Sequence, residues 1–113
     1  MAEMHGREIP RERWQPFFDN ISSNLRGKGV DITISSKEQE MHQSTLWQLN
    51  GVSYDPHDDA LIVSCRQQEH VIQSPQVISI EGEGIALTRL DVRTAGGAQE
   101  VVRFMTPLLL QAS

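Results

Sequence analysis

The densest polar cluster in the chain is Tyr54-Asp55-Pro56-His57-Asp58-Asp59, which sets three carboxylates and an imidazole within six residues. Carboxylate oxygens and histidine nitrogens are ordinary ligands of divalent cations. A metal-assisted hydrolase built on Asp55, His57 and Asp58 is therefore the chemistry this stretch could do. The spacing matches no calcium loop, because D-x-[DN]-x-[DN]-G is absent and no acid closes a twelve-residue frame. Proline preceded by aspartate is also what a β-turn selects for its backbone alone. The hairpin-tip reading is preferred.

The other reactive residues are more scattered. The four histidines are His5, His42, His57 and His70. None lies three or four positions from another, so a site would need His42, His57 and His70 to meet through the fold. Cys65 could be a nucleophile, but it ends an alternation with Leu61 and Val63, and an unpaired cysteine in that setting packs as a small hydrophobe. No G-x-S-x-G elbow is present. Glu81-Gly82-Glu83-Gly84 has the glycines of a phosphate loop, but its two carboxylates would repel the anion, so it reads as a hairpin turn. No catalytic residue and no cofactor is expected.

These residues need elements to hold them. Trp14, Phe17, Phe18, Ile21 and Leu25 recur at helical spacing and predict an amphipathic helix over 12–25. Pro16 is tolerated if it falls in the first turn, and Arg26-Gly27-Lys28-Gly29 supplies the stop. Alternation predicts strands over 30–35, 46–54, 60–66, 70–73, 76–81, 85–93 and 99–105. Residues 36–44 read as a loop, and residues 1–8 as a disordered tail ahead of a single domain over 9–113. Two strands change phase. Trp47 and Leu49 share one face and Val52 and Tyr54 the other, so Asn50-Gly51 is either a tight turn or a bulge, with the bulge preferred. The same shift between Ile85, Leu87 and Leu90, Val92 asks for a bulge near Thr88-Arg89. The fold class is α+β and mostly β: one helix packed on a strongly bent antiparallel meander, or on a small, partly open barrel.

Charge and composition narrow the partners. Residues 1–29 carry five Lys/Arg and four Asp/Glu, whereas residues 30–113 carry five and eleven. That leaves the strand region net negative, which disfavours nucleic acid. No apolar run is long enough to span a bilayer. A single cysteine fits a reducing compartment, and the cytoplasm is the expected location. At this length a lined ligand cavity is rare, so no small-molecule ligand is expected. Leu108, Leu109 and Leu110 form an apolar end that either tucks onto the sheet or enters a partner, and open sheet edges invite pairing. The expected function is a non-enzymatic interaction module that binds itself, as a homodimer, or another protein. The hydrolase is the alternative.

The stretches Ile9-Pro10-Arg11-Glu12-Arg13-Trp14-Gln15-Pro16-Phe17-Phe18 and Gly51-Val52-Ser53-Tyr54-Asp55-Pro56-His57-Asp58-Asp59-Ala60-Leu61 resemble a family of small, uncharacterised bacterial proteins, a domain of unknown function. The resemblance covers roughly residues 9–105 and implies a stand-alone bacterial domain, with no activity, cofactor or site residue attached to it. The polar loop over 36–44 is longer here than the family pattern.

Overall fold

Trp14, Phe18, Ile21 and Leu25 are all buried in this computed structural model, which describes residues 3–35, 40–42, 47–83 and 86–109. In chain order the elements are β1 (Glu3–Ile9), a 3-10 turn (Arg11–Arg13), α1 (Trp14–Leu25), β2 (Gly29–Ser35), β3 (Glu40–His42), β4 (Trp47–Asp55), β5 (Ala60–Cys65), β6 (Glu69–Gln73), β7 (Pro75–Glu83), β8 (Ala86–Thr94) and β9 (Gln99–Leu109). The helix has no side-chain cap at its start, no acid in its first turn and no base in its last. Capping and dipole effects therefore contribute little, and the stripe carries it. Burial of each of Phe18, Ile21 and Leu25 is worth about 1.5–3 kcal/mol. Pro16 falls in the first turn, where its missing N–H costs nothing. Gly27, at φ +85°, ends the helix, and the Gly27 N–H then donates to the Leu49 carbonyl (2.7 Å).

The strands pair antiparallel in the order β1-β7-β8-β9-β2-β4-β5-β6, with β3 beside β2. Two meanders, β4–β6 and β7–β9, are thus joined through β2. One side of β2 pairs with β9 from Val30–Phe104 to Ser35–Gln99. The other side is shared: Gly29 and Val30 pair with β4, while Thr33 to Ser35 pair with β3. With only two residues holding it to β2, β4 is free to turn out of the plane. His70 Nε2 on β6 lies 2.7 Å from Glu100 Oε1 on β9, and Glu100 is buried. In a flat sheet those strands, four places apart, would be about 19 Å from each other. The sheet is therefore folded over on itself, with one hydrophobic core inside the fold. β1 and β6 do not pair with one another, so the sheet stays open and no barrel closes.

Both phase changes are bulges. The β4–β5 register slips between Leu49 and Gly51, and the β8–β9 register between Leu87 and Arg89. Each slip returns the apolar residues to one face, so Leu49, Val52 and Tyr54 are all buried, as are Leu87, Leu90 and Val92.

Three expectations need correction. The region read as a disordered tail forms β1, which pairs with β7 from Glu3–Glu83 to Ile9–Ile78. Its sequence carries no apolar alternation to signal a strand, and the pairing is read from the backbone register. The loop over 36–44 contains the short β3, also recruited by backbone pairing. The helix starts at Trp14 rather than at 12, since residues 11–13 take the tighter 3-10 form.

Candidate functional site

Residues from both family-like stretches meet at one end of the molecule. The 3-10 turn directs Arg11 toward the β4–β5 hairpin, where Nη1 donates to Asp59 Oδ1 (3.3 Å) and approaches Tyr54 Oη (3.4 Å). Nη2 of the same guanidinium donates to the Pro75 carbonyl at the start of β7 (3.0 Å). The guanidinium also lies over the Trp14 ring, 4.4 Å from its centroid. Trp14 in turn sits edge-on to Tyr54 at 5.1 Å and donates its indole N–H to the Ile9 carbonyl (2.8 Å). One side chain thus ties the helix start to both meanders.

Tyr54 donates its hydroxyl to Asp59 Oδ1 at 2.6 Å. Asp59 is positioned for this by a left-handed backbone (φ +50°), which short polar side chains tolerate. Burial of the phenol, reinforced by the Asp59 carboxylate and partly opposed by Arg11, raises the Tyr54 pKa above its ordinary 10.0. An open depression of about 370 Å³ lies beside this joint, lined by Arg11, Glu12, Gln15, Pro16, Tyr54 and Pro56.

The residues singled out for metal chemistry do not face that depression as a set. Asp55 Oδ1 accepts the His57 backbone N–H (2.9 Å), the local bond that shapes a turn. His57 Nδ1 lies 3.3 Å from Asp58 Oδ1, with both side chains well exposed. Among the described residues no group of three His, Cys, Asp or Glu is placed to hold a metal ion. His57 and His70 have separate partners, Asp58 and Glu100. Cys65 is buried, and desolvation raises its pKa above the ordinary thiol value. The backbones of Leu108 and Leu109 extend β9 and pair with Leu87 and Ala86, so this part of the apolar end is in the sheet; Leu110 lies outside the described residues.

A different surface comes forward at the end of the sheet. Cys65 N–H donates to the Gln68 carbonyl and Ser74 N–H to the Asp59 carbonyl, at the two ends of the β5–β6 ladder. Hydrogen-bonded pairs alternate along such a ladder. The pairs Val63–His70 and Leu61–Ile72 therefore exchange bonds. The N–H and C=O groups of Glu69, Val71 and Gln73 then point away from β5. Among the described residues β6 pairs with no other strand, and Val71 at its centre is 39% exposed. The opposite edge, β1, differs: its register slips between Met4 and Arg7, and Arg7 and Glu8 are exposed. A bulge and charges are the usual protections of an edge. β6 has only Glu69. Local pattern predicts a strand over 70–73, but strand order, which makes it an edge, is not written in local pattern.

A model of a family of unknown function, DUF5335, matches residues 5–113. The chain is also 33% identical over 105 residues to an uncharacterised protein of Aquifex aeolicus, an overlap covering 88% of this chain and 92% of that one. No solved structure matches it. Among the described residues no helix is long and apolar enough to cross a membrane.

Proposed function

The chain belongs to the DUF5335 family of unknown function, and we propose that it is a non-enzymatic interaction module whose working surface is the free edge of β6. The observation that carries this reading is the contrast between the two sheet edges: β1 is broken and charged, whereas β6 is regular and has Val71 exposed at its centre. An extended segment laid along β6 would bond to the outward N–H and C=O groups of Glu69, Val71 and Gln73, the mode of strand addition. We place this activity in the cytoplasm, a setting supported by a single cysteine that is buried and unpaired.

Proline at position 71 tests the reading. It removes one outward donor while leaving the β5 ladder, built through His70 and Ile72, intact. Tagged wild-type protein and Val71→Pro, each recovered gently from the native host, are compared by native mass spectrometry. Chains bound to wild type and lost from Val71→Pro are the expected result. Equal binding by both would overturn it, as would no bound chain with either if the purified protein also stays monomeric up to about 1 mM.

A further inference from the structure

Resting on that reading, we infer that the segment seated on β6 is β6 of a second copy, paired antiparallel about a two-fold axis at Val71. The argument is one of register. The outward-facing residues are Glu69, Val71 and Gln73, spaced by two. With the axis at Val71, Val71 meets Val71 of the other copy and each Glu69 meets a Gln73, so all three residues of both strands are hydrogen-bonded. A shift of the axis to His70 or Ile72 leaves outward groups of one strand end without partners, and the Ile72 axis also sets Glu69 against Pro75, which has no N–H. An axis at Glu69 sets two carboxylates face to face, a destabilising pair. The Val71 axis avoids both faults.

The side chains fit the same arrangement. Val71 pairs with Ile62 on β5, and both stand on the outer face. Two copies would bring Ile62, Val71 and their counterparts into a continuous apolar strip across the joined sheets. On the other face Ile72 and His70 are already engaged, Ile72 in the core and His70 with Glu100, so the edge can pair without disturbing them. Five-residue edges bury less than the ~1,200 Å² of standard stable complexes, so the dimer is concentration-dependent.

The test is sedimentation equilibrium on purified full-length protein up to about 1 mM, a range that detects association as weak as millimolar. Wild type is expected to be a reversible dimer, and Val71→Lys a monomer with an unchanged melting temperature. In a Cys65→Ala background, Val71→Cys should cross-link to a covalent dimer on mild oxidation, because facing hydrogen-bonded residues lie about 5.5 Å apart. Gln73→Cys, which faces Glu69, should not. A wild-type protein that stays monomeric throughout overturns the second-copy assignment, as does a dimer that Val71→Lys leaves intact or a stronger cross-link at 73 than at 71. If the purified protein is monomeric while another chain is lost from Val71→Pro in the host experiment, strand addition stands and only the identity of the occupant falls.

Discussion

The two meanders are built alike and finished differently. Each has three antiparallel strands, a bulge and a buried inner face. On β7–β9 the outer face is a linked polar surface: Arg89 pairs with Glu81 and lies 3.7 Å from Asp91, while the Gln99 amide donates to both Asp91 oxygens at 2.9 Å. On β4–β6 the outward positions include Ser53, Asp55, Ile62, Ser64, Glu69, Val71 and Gln73, with Asp55 and Glu69 the charges among these seven. Charge along a sheet face and edge discourages pairing with other chains. The difference teaches that β7–β9 is finished for water, whereas β4–β6 relies on the helix and the opposite layer for its stability and leaves its edge open.

If that is right, the largest losses come from the parts that hold β4–β6 to the rest. Trp14→Ala removes the ring between Arg11 and Tyr54 and should destabilise by about 3–5 kcal/mol in urea unfolding. A loss under about 1 kcal/mol would mean that the helix does not anchor this meander. Gly51→Ala should cost about 1 kcal/mol or less, because the added Cβ would fall on the Ser22 hydroxyl of the helix, which must turn to another rotamer. In a Ser22→Ala background the penalty should largely vanish, and a penalty that persists would place the cost elsewhere. Tyr54→Phe deletes the bond to Asp59 and should cost about 1 kcal/mol.

The same phenol gives a pH signature. Its folded pKa is raised, so its contribution is complete below about pH 10, the unfolded value, and is lost as pH climbs through the folded value. Thermal melts should fall more steeply above pH 10 for wild type than for Tyr54→Phe. Tyr54 is the chain's one tyrosine, so ultraviolet titration of the native protein reads it alone, and a midpoint at or below 10 would contradict the burial argument. The smallest effect belongs to the other meander. Glu81→Gln, on a pair about one-third exposed, should change stability by less than about 1 kcal/mol, and a larger loss would show that β7–β9 depends on its polar surface.

What could be read from sequence follows from the range of each signal. The helix stripe and both bulges were legible because periodicity and its breaks are local: Val52 and Tyr54 shift phase against Leu49 whatever they pack on. Gly51 was legible as the site of a bulge, but not as the point where the helix touches β4, which depends on the packing of two elements. In the Tyr54–Asp59 turn, density alone favours Asp55, His57 and Asp58, yet the side chain that reaches across the fold is Asp59, and its partner Arg11 lies in another element. β1 and the open edge of β6 were not legible, because both depend on which strands become neighbours.

The sheet's strand order also has a consequence for synthesis. β2 cannot complete its ladder until β9, the last of the described strands, has been made, since Val30 pairs with Phe104. β1 likewise waits for β7. A chain emerging from the ribosome can pack α1 on β4 early, but it holds β2 half-bonded until Phe104 and its neighbours have been made. Contacts this distant along the chain form slowly once they become possible. The half-bonded side of β2 is thus the part of the nascent chain most open to wrong pairing, and shielding it until β9 emerges is expected to limit aggregation.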